Sequence, residues 1–489
     1  MLRKLTPLLA LAAALVLAAP GAGKPPATTL QGYAADTWHS FDLMLYPETG
    51  LVADNVSAEG VRARYTSPTN IGTYLWSTIA ARDLELISNA DAVARIDRTL
   101  DTVSTLERHE ESGQFYNWYD PQTGEKLTVW PLPPNDTVHP FLSSVDNGWL
   151  AAALVMVANA VPEHAAQARA LYESMHFGFY YDPGPGLLRG GAWTEPHAGV
   201  YDPAKDVWFT GHHYGALNTE PRIASYIGIA RGEIPATHYY KMWRTFPPTC
   251  DWDWQETKPE GVTRTYLGVD VFEGHYTYAG MNIVPSWGGS MFEALMVPLL
   301  VPEEQWAPRS WGVNHPLYVA AQIYHGKEEA HYGYWGFSPS NNPDGGYREY
   351  GVDPIGLEPN GYASDQERTH VDYGFAGCRA GAPLPTRYGR GVVTPHASFL
   401  ALDFERGQAL ANLAKLRRNF DAYGAGGFYD AIDVVTGKVS RYYLALDQGM
   451  IVAAIANELT GDVFQTYFSR EIEATVRPVI AMEEFTAGG

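Results

Sequence analysis

Asp146 stands in SSVDNGWL and Glu220 in ALNTEPRIASY, each at the head of a segment that is otherwise almost wholly apolar. A carboxylate there loses hydration unless something hydrogen-bonds it. Asp146 suits a helix N-cap or first-turn acid, which the helix dipole favours, as well as it suits chemistry. Glu220 has Asn218 and Thr219 beside it to act as caps, which frees its own carboxylate. Glu293, among Met291, Phe292 and Leu295 in SWGGSMFEALM, needs a partner, either a core salt bridge or a substrate. Asp447 in LALDQGM repeats the Asp146 pattern, and His396 in TPHASF reads as a satisfied core histidine. Paired carboxylates of this kind suit glycoside hydrolysis. One acid protonates the leaving oxygen, and a second carboxylate activates water or attacks the anomeric carbon. Unequal environments set their pKa values apart. Sequence gives no carboxylate separation, so retention and inversion both stay open.

A long Gly-, Pro- and Tyr-rich stretch from Gly333 to Gly391 adds Trp335, Asp344, Tyr347, Arg348, Glu349 and Asp353. A connection of that length in a compact domain is usually functional, and its acids and aromatics suit a glycan wall. Trp335, Tyr347 and Glu349 are therefore candidate sugar contacts, with Trp287, Glu293, His213 and Asp447. Other chemistries find little support. There is no G-x-S-x-G elbow, P-loop, G-x-G-x-x-G after a strand or H-E-x-x-H. His212 and His213 are adjacent and would point apart, so no shared metal site is expected. No cofactor is expected either.

The elements that must position these residues recur. Six segments share a polar or small start and a nearly all-apolar body, beginning near Ser67, Ser144, Asn218, Ser286, Thr394 and Leu446. A helix apolar on all sides is a buried one. Each is followed by an amphipathic partner: Ala90 to Arg108, Glu163 to Met175, Ile234 to Trp243, Pro316 to Tyr324, Glu405 to Arg418 and Asp462 to Glu473. In the first partner, Val93, Ile96, Leu100, Val103 and Leu106 recur at a helical period. Six buried helices alternating with six half-exposed ones predict an all-α double ring, the (α/α)6 toroid. An open solenoid ranks below it. Aromatic, Asp-containing stretches at 113–128, 177–191 and 426–440 read as hairpin-like pieces capping one rim.

Arg3 and Lys4, the apolar run Leu8 to Ala19 and the small residues around Pro20 to Gly23 read as an export signal over residues 1–23. The run is short for a membrane span, though an uncleaved anchor would look similar. Residues 24–489 are expected to form one domain, secreted or held in the periplasm or cell envelope, with no integral membrane domain. Cys250 and Cys378 are the two cysteines. A single staple and two unpaired buried thiols fit equally well. The net charge of −21 repels phosphate backbones and anionic glycans, which excludes nucleic acid and favours a neutral polysaccharide. The aromatic share of 13% suits platforms for sugar rings as well as a large core. Sequence leaves the oligomeric state open.

Four ordered motifs carry a resemblance: PSWGGSMFEALMVPLL, YGYWGFSPSNNPDGGYREYG, GVVTPHASFLAL and GGFYDAIDVVTG followed by YLALDQGMIVAAIAN. With them the chain resembles the glucoamylase-like glycoside hydrolase family, whose characterised members include endo-β-1,2-glucanases. The resemblance implies an (α/α)6 toroid. It implies Glu220 as general acid, and Asp146 as general base or subsite ligand. Family members often read D-D-G-T-I-A-P-T where this chain has GRGVVTPHAS, with Arg390 in place of acids, so the subsite there differs. A polysaccharide lyase, with Arg222 or Arg348 neutralising a uronate, and a non-catalytic glycan binder are the rival readings.

Overall fold

Three of the apolar segments carry heads that cap their own helices. Ser67, Ser143 and Ser290 accept the backbone N–H of Asn70, Asp146 and Glu293 at 3.3, 3.2 and 3.3 Å. A serine N-cap satisfies one of the free N–H groups of the first turn. Asp146 and Glu293 thus occupy the third helical position of a capping-box spacing, while serine does the capping.

The computed structural model describes residues 29–250, 258–357, 377–378, 380–381 and 388–488. The export-signal reading over residues 1–23 lies outside them, as does part of the long Gly333–Gly391 stretch. In chain order the helices are α1 (Leu30–Met44), α2 (Pro68–Asp83), α3 (Asn89–Thr105), α4 (Ser144–Ala160), α5 (Ala165–Glu173), α6 (Arg222–Ala230) and α7 (Thr237–Lys241). They continue as α8 (Met291–Leu295), α9 (Glu303–Trp306), α10 (Trp311–Tyr324), α11 (Pro395–Leu400), α12 (Leu402–Asn419), α13 (Ala445–Thr460) and α14 (Val463–Ile480). Among the described residues no single helix is long and apolar enough to cross a membrane.

The buried helices follow one another in space. α2 packs on α4, α4 on α6, α8 on α11, α11 on α13, and α13 back on α2. α6 and α8 are joined by hydrogen bonds from Arg222 to the carbonyls of Glu293 and Ala294. Glycines near the helix starts permit the approach. A Cβ on Gly148 would stand 3.1 Å from the Ala224 Cβ of α6, and one on Gly449 would stand 2.6 Å from the Thr73 Cβ of α2.

Three positions differ from the sequence expectation. The segment at Ile234–Trp243 is helical only over Thr237–Lys241 and packs on the strand Val269–Tyr278. α8 stops at Leu295 and gives way to a tight turn over Val297–Leu299, because Pro298 has no N–H to continue the ladder. α14 does not lie only beside α13. Its stripe of Phe464, Phe468, Ile472 and Val476 is buried, and the helix packs on α4 and α6 as well. Gln465 and Arg470 of α14 donate to the carbonyls of Pro298 and Asn159, beyond α8 and near the end of α4. α14 therefore crosses the ends of the buried helices remote from the serine caps, and α1 packs along α13 instead.

The helix-start rim carries short antiparallel strands. Tyr181–Asp182 pairs with Leu187–Arg189, and Ala431–Asp433 pairs with Val439–Ser440, as the aromatic stretches suggest. A longer hairpin of Glu260–Tyr266 with Val269–Tyr278 was not legible in the residue pattern. Cys250 and Cys378 form a disulfide, which decides the alternatives the sequence left open.

Candidate active site

Glu220 lies two residues before Arg222, which opens α6 with no side chain capping it, and its carboxylate points towards α4. Trp149 Nε1 donates to Glu220 Oε2 at 2.6 Å. Trp149 lies three residues after Asp146, on nearly the same face of α4. The Glu220 backbone N–H donates to Glu293 Oε2 at 3.0 Å, so the Glu293 carboxylate stays at the cavity instead of turning back onto its own helix. Asp146 accepts the hydroxyl of Thr69, in the first turn of α2, at 2.7 Å. Three acids from three helix starts are thus brought together, each held by a neighbouring helix.

Electrostatics separates them. Burial raises the Glu220 carboxyl well above the ordinary carboxylate range, and the charges of Glu293 and Asp146 raise it further, against the Trp149 hydrogen bond and Arg222. Burial pushes Glu293 up to about 7, with Glu349 adding to it and the Glu220 N–H opposing it. Tyr214 is raised chiefly by burial, then by Glu220, Asp146 and Glu293, so it stands among all three.

A cavity of about 600 Å³ opens here, with Glu220, Glu293, Glu349, His213, Trp243 and Trp287 among its walls. That size and aromatic lining suit a ligand larger than a single sugar ring. His213 is oriented by Asp182, whose Oδ2 lies 2.9 Å from its Nε2. Tyr347 exposes 48% of its surface, while its hydroxyl stands near buried acids. Its hydroxyl is raised by burial first, then by Asp447, Asp430, Glu220 and Glu349, so it spans two groups of acids.

The second group is Asp430, Asp447 and His396. Asp430 lies on the 426–440 stretch, and Asn341 N–H donates to its Oδ2 at 2.6 Å. Burial and Asp447 raise Asp430 well above its ordinary range, while burial pushes Asp447 up to about 7. Ligand atoms of these three residues lie within 4.8 Å of one another, and they are the group among the described residues that could hold a metal ion. They come from three distant segments, which is why no ligand spacing is visible in the sequence.

Two expected sugar contacts are corrected. Trp335 is completely buried in the main core, with its Cα and Cβ close against Gly326, and it cannot form a substrate wall. Asp447 is only 2% exposed and is not a wall of the 600 Å³ cavity, because Asp430 and His396 enclose it. His396 is buried as expected, between Ser338 and Thr394. Arg222 is also buried and bound bidentately by Glu303, so it is not available to a uronate. Arg390 pairs with Asp344 and Asp433. Sequence reasoning missed Trp149, Tyr214, Trp243, Asp430 and Asp54. Asp54 is raised by burial, receives Asn70 Nδ2 at 2.9 Å, and feels Asp146. Only Trp149 carried a signal, its spacing from Asp146.

The Glycoamylase family model, described as "Putative glucoamylase", matches residues 212–471, more than half of the chain. The chain belongs to this family. The matched span carries Glu220, Glu293, Glu349, Asp430 and Asp447, so most of the site lies in the Glycoamylase region. Asp146 and Trp149 lie outside it, within residues 32–178, which match a family of unknown function. The chain is 25% identical to the cyclic β-(1,2)-glucan synthase NdvB of Rhizobium meliloti over 89% of its own length, but spans 18% of that protein. In fold it is similar to an endo-β-1,2-glucanase from Chitinophaga pinensis, with TM-score 0.62, 16% identity, and 92% of this chain and 97% of that one covered. It is also similar to an endo-β-1,2-glucanase from Talaromyces funiculosus, with TM-score 0.60, 13% identity, and coverage of 94% and 91%. At these identities the likeness is one of fold.

Proposed function

We propose that this chain is a secreted glycoside hydrolase that cleaves a neutral β-glucan, with linear β-1,2-glucan as the first polymer to test. One observation carries the reading: Glu220 stands at a sugar-sized cavity, fixed by Trp149, with its titration raised by burial and by Glu293. A carboxyl whose titration is raised above the ordinary carboxylate range suits protonation of a glycosidic oxygen. Glu220 delivers that proton. Asp146, held by Thr69, is the general base or a subsite ligand, and Glu293 is a further carboxylate beside the acid. Trp287, His213, Tyr347 and Glu349 contact the sugar. The glucan named for the relatives supports β-1,2 linkages.

The closed succession from α2 through α4, α6, α8, α11 and α13 back to α2 supports an inner ring, hence an (α/α)6 toroid formed as one domain over residues 24–489. A disulfide between Cys250 and Cys378 fits an oxidising compartment, which supports export by residues 1–23.

The test is incubation with a glycan panel that includes linear β-1,2-glucan, followed by product analysis. Glu220→Gln is expected to lower kcat about 1,000-fold with little change in Tm, in the range typical of losing general acid catalysis. Retained activity in that variant removes Glu220 from the acid role. An unsaturated, ultraviolet-absorbing product would favour elimination over hydrolysis.

A further inference from the structure

Arg222 opens α6, two residues after Glu220, and its side chain is fully buried. A guanidinium has five N–H donors in a rigid plane. All five are accounted for. Nε and Nη2 donate to Glu303 Oε1 and Oε2 at 2.8 and 2.9 Å. Nη1 donates to the carbonyls of Thr219 and Glu293 at 2.7 and 3.1 Å. Nη2 also donates to the carbonyl of Ala294 at 2.7 Å. Three of the five bonds therefore end on the two backbone segments that carry Glu220 and Glu293.

Glu303 is locked in turn. The Tyr226 hydroxyl donates to its Oε1 at 2.6 Å, and His315 Nε2 lies 3.1 Å from its Oε2. The ring of Trp311 lies 4.9 Å from the guanidinium carbon of Arg222. A buried ion pair often adds little stability beyond an apolar pair of the same size. Its geometry here does something an apolar pair cannot, because it ties one helix start to another at the bond from Glu220 N–H to Glu293 Oε2.

We propose that Arg222, held by Glu303, is the positioning residue that fixes the Glu220 and Glu293 segments against each other for the reaction assigned above. The kinetic half of this proposal rests on that reading, while its structural half does not. Arg222 touches no substrate and acts through the two glutamates. The guanidinium also lowers the titration of both, opposing their burial.

The test uses the full chain with Arg222→Lys and with the double variant Arg222→Met/Glu303→Met. Readouts are Tm, kcat and KM on linear β-1,2-glucan, and carbon-13 NMR titration of labelled glutamate. The Glu293 signal is identified by its loss in Glu293→Gln. Arg222→Lys keeps the charge and loses the fork. It is expected to lower kcat about 100-fold, as roughly 1 Å of misplacement does, with KM changed less than about threefold. The double variant removes the cation and tolerates burial, and should move the Glu293 midpoint upward by about one unit or more. Unchanged kcat in Arg222→Lys and an unmoved midpoint in the double variant, with only Tm lowered, would reduce Arg222 to a core ion pair and overturn the proposal. Where Arg222→Lys does not fold, the double variant decides. A wild-type chain inert on β-1,2-glucan would refute the substrate reading, and the carboxyl titration would still decide the clamp.

Discussion

The indole N–H of Trp149 lies 2.6 Å from Glu220 Oε2, so α4 and the start of α6 share one hydrogen bond at the centre of the site. The bond favours the ionised carboxylate and so opposes the burial that raises Glu220. Trp149→Phe removes the donor and keeps most of the ring volume. The Glu220 pKa should rise further, moving the alkaline limb of kcat/KM to higher pH. Loss of orientation should lower kcat about 10- to 100-fold. A pH–rate profile superimposable on the wild type would refute this role of the indole.

Asp146 is held by the Thr69 hydroxyl across the gap between α4 and α2. Asp146→Asn is expected to lower kcat at least about 100-fold if the carboxylate takes a proton from water. Thr69→Val keeps the carboxylate and frees its position, so a smaller loss of about tenfold is expected. Steady-state kinetics of both variants checks the order. A larger effect from Thr69→Val than from Asp146→Asn would contradict it.

Stability should fall as pH rises from 6.5 to about 8.5. Buried carboxyls are raised in the folded chain, Glu293 and Asp447 to about 7 and Glu304 to about 8. In this window the folded state holds protons that the unfolded chain has released, so unfolding becomes easier with each step upward. Below pH 6.5 the buried His238 and His396, both lowered to about 4, act in the opposite sense, because folding keeps them neutral. Thermal melts across the window check the slope. Glu304 lies away from the site, beside Asp403 and Asp462, so Glu304→Gln should flatten the decline and leave hydrolysis unchanged. A Tm that climbs from 6.5 to 8.5 would contradict the assignment.

Gly449 lets α13 meet α2, since an added Cβ would stand 2.6 Å from Thr73 Cβ. Gly449→Ala should therefore destabilise by about 1–3 kcal/mol through overpacking, despite alanine's better helix propensity. Phe468 of α14 is fully buried, and Phe468→Ala should cost about 3–5 kcal/mol. Urea denaturation measures both. A stabilised Gly449→Ala chain would show that the two helices separate at little cost.

The outline of this protein is written along the chain. Apolar bodies behind polar heads fixed the buried helices, because a helix greasy on every side has nowhere to go but inside. The aromatic Asp-containing stretches announced two rim hairpins, and the positions of Asp146 and Glu220 marked them before any contact was known. Partners were not legible. Whether Asp146 would cap its own helix or serve a neighbour depended on Ser143 taking the cap and Thr69 arriving from α2. Trp335 and Tyr347 belong to one aromatic loop, yet one fills the core and the other stays half exposed. Asp430 with Asp447, and Arg222 with Glu303, are separated in sequence and joined only by packing. Local pattern determined which residues form helices and which ends are polar, since those follow from periodicity and capping within a few residues. Tertiary structure alone decided which carboxyls share a cavity, which keep a proton and which are enclosed. Desolvation and charge–charge interaction depend on distance in space, and the order of residues does not encode that distance.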